Sequence, residues 1–178
     1  AGIEVDSNRQ TLPETIERGQ ITVIGPDLAL GPLPTPEEWW KLTNVRTQRV
    51  IALLDPRRDY GSSQVAMETL AGADLFDFVS VPVRTIDDAR GVVETIESRD
   101  VRTYVLGFRG DDWRLELVRR VLENKGKTER GPLRNVPDRL ERGSVTQVRP
   151  GVYAGPLPTE AEFKSKLLLA GVKTIVNV

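Results

Sequence analysis

The sequence predicts an α/β fold, a three-layer sandwich built around a mostly parallel central sheet. Short apolar runs rich in β-branched residues alternate with amphipathic segments along the chain, which is the pattern of parallel strands joined by helices. A second observation is that the pentapeptide Gly31–Thr35 recurs unchanged as Gly155–Thr159, 124 residues later. A long period at one fixed offset indicates a duplicated domain rather than a short solenoid repeat.

The duplication extends well beyond that pentapeptide. Leu12–Leu54 and Val136–Val178 align without a gap, with 13 identities in 43 positions, and most other pairs keep apolar against apolar. We therefore predict a flexible N-terminal arm at 1–11, one whole domain at 12–135 and a partial second repeat at 136–178. Residues 127–135 are the predicted junction between the two copies.

The composition excludes several classes of function. The 178 residues carry 25 basic and 26 acidic side chains, so no excess charge points to nucleic acid or to an anionic membrane. Cysteine and histidine are absent, which rules out a thiolate nucleophile, an imidazole base and a Cys/His zinc site. No apolar run reaches the roughly 20 residues that span a bilayer. We expect no cofactor, no nucleic-acid partner, no transmembrane segment and a cytoplasmic location.

The first copy is predicted to open with two strands and a helix. Ile21–Ile24 and Leu28–Leu30 flank a Pro-Asp turn, and the prolines of Gly31–Pro34 force an extended chain. Thr35-Pro36-Glu37-Glu38 is a helix start, because Thr35 can cap it and Glu38 completes a capping box. This helix should end near Val45.

Strands and helices alternate through the rest of the first copy. Apolar and β-branched content predicts strands at Arg49–Leu54, Phe76–Val83 and Arg102–Leu106. Helices are predicted after Ser62/Ser63, after Thr85, and from Asp111 to about Gly126. The charge run Arg57-Arg58-Asp59 is interpreted as a solvated loop. The second copy should run strand, strand, helix, strand and reach Val178.

Two stretches of the second copy carry a resemblance to a known family. They are Thr146-Gln147-Val148-Arg149-Pro150-Gly151-Val152-Tyr153-Ala154 with the repeated Gly155–Thr159, and Ala170-Gly171-Val172-Lys173-Thr174-Ile175-Val176-Asn177-Val178. Together they resemble the dual-specificity and tyrosine phosphatase superfamily, and the first copy carries the same opening more loosely. The resemblance implies a phosphatase-like fold over both copies.

In that family the chemistry lies in the loop between the last strand and the next helix, which carries His-Cys, five residues and then Arg. The corresponding stretch of this chain is Leu106, Gly107, Phe108, Arg109, Gly110, Asp111, Asp112, Trp113 and Arg114. One register puts Leu106 and Gly107 at the His-Cys positions. A shift by one residue puts Phe108 at the Cys position and Arg114 at the Arg position. Neither register supplies a nucleophile.

We therefore predict a catalytically degenerate, pseudophosphatase loop, and a chain that is not an enzyme. Asp111 and Asp112 stand at a helix N-terminus, where carboxylates can bond the free N–H groups that a phosphate would need. Arg109 and Arg114 would partly offset their charge.

Two groups of acidic residues each have a functional interpretation that remains open beside a structural one. Asp87 and Asp88 follow a predicted strand where the family often keeps a general acid, but they also suit a helix start behind Thr85. Asp111 and Asp112, joined by Asp87, could hold Mg²⁺, yet helix capping is the favoured interpretation and no metal site is predicted.

Trp40 is the candidate interface residue. It follows Trp39 on the predicted helix, so the two side chains point about 100° apart and only one need lie in the core. Lys164 occupies the Trp40 position in the second copy, which favours a surface site. An exposed tryptophan is a good anchor for a protein partner.

Three hypotheses for function follow. The first is a non-catalytic binding or scaffold subunit of a larger protein assembly. Such a subunit could also make peripheral contact with a membrane complex. The second is a fragment of a tandem phosphatase whose active loop lies beyond residue 178. The third is a phosphate- or phospholipid-sensing module that uses Arg109 and Arg114.

Overall fold

The computed structural model of the protein describes residues 11–125 and 135–178. All of the predicted arm but Thr11, all of the predicted junction but Asn135, and the predicted helix end at Gly126 lie outside the described residues. Within the described parts, no helix is both long enough and apolar enough to cross a bilayer.

The centre of the first copy is a five-stranded sheet. Its strands are β3 (Thr22–Gly25), β4 (Leu28–Pro32), β5 (Arg49–Ala52), β6 (Asp77–Ser80) and β7 (Thr103–Gly107), after a short hairpin of β1 (Thr15–Ile16) and β2 (Gly19–Gln20). The order across the sheet is β3-β4-β7-β5-β6. Only the β3–β4 pair is antiparallel, so the mostly parallel sheet predicted from the sequence is confirmed.

Helices cover both faces of this sheet. They are α1 (Trp39–Asn44), α2 (Pro56–Asp59), α3 (Ser63–Ala73), α4 (Ile86–Glu97) and α5 (Trp113–Glu123). Ile51, Leu53 and Val105 pack in one apolar cluster with α4 and α5. Val50 and Ala52 pack in another with α1 and α3. Successive residues of a strand point to opposite faces, so alternating apolar residues build both layers.

The ends of several elements differ from those predicted. Helix α1 begins at Trp39 rather than at Pro36, because Thr35–Glu38 forms a turn in which Glu38 N donates to Thr35 O at 3.0 Å. Strand β6 is four residues long, half of the predicted Phe76–Val83. The predicted caps Ser62 and Thr85 do accept N–H groups at the starts of α3 and α4.

Arg49, the first residue of β5, is a buried cation. The side chain of Arg49 donates to the carbonyl oxygens of Thr95 and Ile96 at 2.9 and 3.0 Å, and to the Thr103 hydroxyl at 3.2 Å. Burial is the main reason why the pKa of Arg49 is lowered. Because these carbonyls belong to the C-terminal turn of α4, where the helix dipole favours a cation, Arg49 joins α4 to β5 and β7.

Residues 136–162 repeat the contacts of residues 12–38 at an offset of 124. The hairpin β8 (Arg139–Leu140) and β9 (Gly143–Ser144) has the register of β1 and β2. The hairpin β10 (Thr146–Arg149) and β11 (Val152–Ala154) has the register of β3 and β4, including its irregularity. Glu17 N donates to Glu38 Oε2 at 2.9 Å, and Glu141 N donates to Glu162 Oε2 at 2.8 Å.

The offset becomes 125 residues after helix α6 (Glu160–Glu162). A π-helical turn, Phe163–Leu167, follows α6 and adds one residue to the helix. After it, the Val172 N to Leu167 O bond corresponds to the Thr47 N to Leu42 O bond. Arg46 and Gly171, with φ of 63° and 80°, are then equivalent left-handed helix ends. The alignment without a gap is therefore one residue out of register beyond the π turn.

The last part of the chain packs on the first copy without joining its sheet. Leu169 is buried in the cluster that includes residues of α4 and α5, and Lys173 forms an ion pair with Asp87. Residues 172–178 form no strand, and Ile175 and Val176 are exposed, so the predicted last strand is wrong here.

We expect Leu169→Ala to lower the free energy of unfolding by about 3 kcal/mol, because it empties a place in the core that includes α4 and α5. Urea denaturation measures the change. The control is Leu157→Ala, which truncates a side chain that is 66% exposed and should cost less than about 0.5 kcal/mol. Equal, small effects of both variants would show that Leu169 does not pack there.

Candidate functional site

The loop that the family resemblance singles out lies at the carboxyl edge of the sheet. It leaves the central strand β7 at Gly107 and enters α5 at Trp113. Leu106 and Gly107 are buried inside the strand, whereas Arg109 and Asp111 are exposed. In open α/β sheets this edge is where ligands bind, so the chemistry of the loop decides what the site can hold.

Arg114 is the centre of this loop. Its Nε and Nη2 donate to the two oxygens of Asp112 at 2.9 and 2.7 Å. On its other side Nη1 and Nη2 donate to the oxygens of Asp59 at 2.8 and 3.3 Å. The side chain is only 9% exposed. The guanidinium is thus held by two carboxylates of its own chain, each through two hydrogen bonds, which is the strongest geometry such pairs adopt.

Asp112 fills the place between the loop and the helix. It caps α5 by accepting from Arg114 N at 3.0 Å, and it accepts from Phe108 N at 2.8 Å. Gly107 leaves room for it, since a Cβ there would lie 2.7 Å from the Asp112 Cβ. The Asp112 carboxylate therefore accepts hydrogen bonds from an N–H group at the helix N-terminus, from a loop N–H group and from the Arg114 guanidinium.

Asp59 was missed by sequence reasoning. Arg57 and Arg58 are exposed, as a solvated segment requires, but the charge run forms α2 rather than a loop and places Asp59 beside Arg114. Asp55 caps α2 by accepting from Arg57 N at 3.0 Å. The sequence did contain a signal for this helix, since Asp followed by Pro is a favoured helix start, but none for the pairing of Asp59 with Arg114.

The charges of this cluster shift its pKa values in the directions expected for ion pairs. Burial by itself raises the pKa of Asp112, but the hydrogen bonds and charge of Arg114 outweigh it, and the pKa falls below its usual value. Burial likewise acts to lower the pKa of Arg114, and the bonds from Asp112 and Asp59 raise it instead. Both groups are therefore held in their charged forms.

The remaining loop residues pack against the β1–β2 hairpin. Gly110 N donates to Arg18 O at 3.1 Å, and a Cβ on Gly110 would lie 2.4 Å from Gln20 N, so only glycine fits. The guanidinium carbons of Arg18 and Arg109 lie 5.6 and 5.8 Å from the centre of the Phe108 ring. At such distances a cation is attracted to the ring face. Phe108, at the nucleophile position of one register, is therefore a packing residue.

A cleft of about 300 Å³ opens beside the loop. Its lining includes Asp111, Asp112, Glu116 and Arg119. Arg119 is already paired with Glu116, with its Nη2 2.7 Å from Oε1. Asp111 and Glu116 are the exposed carboxylates of this lining, and their charges would repel a phosphate dianion.

The acidic residues behind Thr85 serve the helix start. Asp88 completes a capping box, because its Oδ2 accepts from Thr85 N at 3.0 Å. Asp87 pairs with Arg90 and Lys173, and these contacts contribute to lowering its pKa. Among the described residues no group of three acidic side chains is arranged to hold a metal ion.

The two adjacent tryptophans separate as predicted. Trp39 is fully buried, and its Nε1 donates to Glu68 O at 2.9 Å. Its ring lies against Gly72, where a Cβ would come within 2.3 Å. Trp40 is 60% exposed. Its role as an interface residue stays a prediction.

Comparison with known proteins gives a distant structural likeness. No protein-family model matches the chain, and no curated protein matches it. Two crystal structures, at 1.40 and 1.60 Å resolution, are similar to it, and both are of a protein named "Putative phosphatase (DUF442)" from Shewanella putrefaciens CN-32. Each has a TM-score of 0.45 and 16% identity over 59% of this chain, and 73% or 70% of the neighbour is covered.

The prediction that the chain is not an enzyme is contradicted by these neighbours, which carry the name of a phosphatase. We withdraw it.

We expect Asp112→Asn to lower the free energy of unfolding at pH 7 by about 3 kcal/mol, because it removes one partner of a buried ion pair. The folded-state pKa of Asp112 is depressed, so its contribution is fully present above the usual pKa of about 3.9. The difference between wild type and variant should therefore shrink only as the pH falls further, through that lowered pKa.

Chemical denaturation at a series of pH values measures this. Asp111→Asn is the matched control, since Asp111 is exposed and the change should be small at every pH. A wild-type advantage that is absent at pH 7, or independent of pH, would contradict the ion-pair account.

Proposed function

We propose that the chain is a binding or scaffold subunit of a larger protein assembly, with a degenerate phosphatase-like loop in its first copy. The observation that carries the proposal is the closed Arg114 cluster. The groups that would grip a phosphate, namely the guanidinium and the N–H groups of Phe108 and Arg114, already bond to Asp112.

An anion could enter this loop only by displacing Asp112. That would leave a carboxylate beside the anion and would break a buried ion pair, a change that typically costs 3–5 kcal/mol. The loop therefore acts as a structural joint between β7, α2 and α5. This leaves the surface, rather than the loop, as the place where the first copy meets its partners.

Trp40 is the residue that best suits such a contact. Trp40 is 60% exposed, while its neighbour Trp39 on the same helix is anchored in the core. A large aromatic side chain on a rigid element is the usual form of an interface hot spot.

A second candidate function is favoured by the repeated contacts of residues 136–162. These support a partial second phosphatase-like repeat, and the chain would then belong to a tandem phosphatase with its active loop in the second copy. A reading frame that continues past Val178 and carries His-Cys, five residues and Arg about 60 residues later would support it.

The third hypothesis, a phosphate sensor, is the least supported. Arg114 is held by Asp112 and Asp59, and only Arg109 of the two predicted arginines is exposed. A titration with inorganic phosphate, followed by the fluorescence of Trp113, separates this hypothesis from the others.

We expect Trp40→Ala to remove the partner from the assembly without destabilising the chain. Native mass spectrometry of the protein isolated with its bound partner measures the complex, and urea denaturation measures stability, which should change by less than about 0.5 kcal/mol. Met67→Ala, at a side chain of similar exposure, should leave the complex intact. A Trp40→Ala protein that keeps its partner would contradict the proposal.

A further inference from the structure

The helix formed by α6 and the π turn ends in the same way as α1. Gly171 N donates to Leu168 O at 3.1 Å, and Arg46 N donates to Thr43 O at 2.9 Å. These two bonds are equivalent at the offset of 125 residues, and so are the left-handed residues Arg46 and Gly171. The residues at the two helix ends can therefore be compared one by one.

At two of these positions an exposed polar residue of the first copy is replaced by a buried leucine in the second. Thr43 and Asn44 are exposed on α1. Their equivalents, Leu168 and Leu169, are only 2% and 5% exposed. The two positions face solvent in the copy that has its central sheet, so the fold of a single copy does not by itself bury them.

The preceding position differs from these two, because it is apolar in both copies. Leu42 and its equivalent Leu167 are both buried. In the first copy Leu42 packs in the apolar cluster that includes Val50 and Leu106 of the sheet. The second copy thus keeps the leucine that faces the sheet in the first copy and adds two leucines on positions that face away from it.

The first copy supplies the surface that covers the added residues. Leu169 lies in the apolar cluster that includes Val92 of α4 and Val118 of α5. A third difference between the copies lies beside it, because the exposed Gln48 corresponds to Lys173. The Lys173 Nζ is 2.5 Å from Asp87 Oδ2, in the first turn of α4. Apolar and charged differences between the copies thus meet the same face of the first copy.

We propose that the α4–α5 face of the first copy is a dedicated interface between the two copies, occupied by the helix end of the second copy around Leu168, Leu169 and Lys173. Two adjacent leucines on positions that face solvent in the first copy need such a cover. Because the two copies belong to one chain, their high effective concentration allows a small interface to hold them together. The copies are then fixed in one relative orientation, and Asp87 is an interface residue. The inference rests on the equivalence of the two helix ends and goes beyond the assembly role.

The test uses the whole chain, which has no cysteine of its own. Asp87→Cys with Lys173→Cys places two thiols at the interface, at side chains that are 48% and 63% exposed and therefore open to a reagent. A short bismaleimide should join them within one chain, and peptide mass spectrometry identifies the link. Asp27→Cys with Lys173→Cys is the control pair. Asp27 precedes β4 at the amino edge of the sheet, whereas α4 begins at the carboxyl edge, so this pair should crosslink only slightly.

Leu168→Thr with Leu169→Asn gives the second copy the residues of the first. In the Asp87→Cys, Lys173→Cys chain these changes should lower the ratio of docked to undocked copies about a hundredfold, the effect of removing one buried leucine. Crosslinking should then fall to that of the control pair, while circular dichroism shows a folded first copy. Leu157→Asn, at a leucine that is 66% exposed, should leave crosslinking unchanged.

Equal crosslinking of the two cysteine pairs, or undiminished crosslinking in the leucine variant, would overturn the interface. A crosslinked species of twice the chain mass would also overturn it, because the α4–α5 face would then be covered by another molecule. If the leucine variant does not fold, the comparison of the two cysteine pairs decides alone. The assay contains no assembly partner, so its outcome is distinguishable from loss of the Trp40 contact.

Discussion

The pairing of Arg114 with Asp112 and Asp59 is the interaction on which the site depends. It joins α2 to β7 and α5, because Asp59 comes from α2, 55 residues before Arg114. Asp112 caps α5, and Phe108 N, directly after β7, bonds to the same carboxylate. A buried charge is tolerated only when it is paired and fully bonded. In this loop the Arg114 guanidinium and the N–H groups of Phe108 and Arg114 therefore bond to carboxylates of the chain itself.

The order of strands and helices in residues 12–125 could be predicted from the sequence, because the helix caps and the pattern of apolar residues there agree with the fold. Ser62 and Thr85 were predicted as caps and do cap, and Trp39 and Trp40 separate into buried and exposed sites. Asp59 could not be predicted as a ligand of Arg114, since its role depends on where α2 places it across the sheet edge. The start of α1 was also wrong, because the chain turns at Thr35–Glu38 before the helix begins.

Residues 136–162 show which contacts of residues 12–38 depend on local sequence alone. The hairpin registers and the Glu162 bonds repeat without the sheet that surrounds them in the first copy, so they are local properties of the sequence. Residues 172–178, by contrast, form no strand, although Thr174–Val176 is rich in β-branched residues. The π turn at Phe163–Leu167 adds one residue to the helix. It could not be predicted from the alignment of the two sequence stretches, because that alignment has no gap at this point.

The most direct test of the Arg114 cluster is NMR spectroscopy of its two central side chains. The carboxyl carbon of Asp112, followed against pH, should titrate below the usual range for aspartate, and the Arg114 Nε–H should be protected from exchange with solvent. An Asp112 carboxyl that titrates near pH 3.9 beside a freely exchanging Arg114 Nε–H would contradict the account, because the loop would then be open to an outside anion.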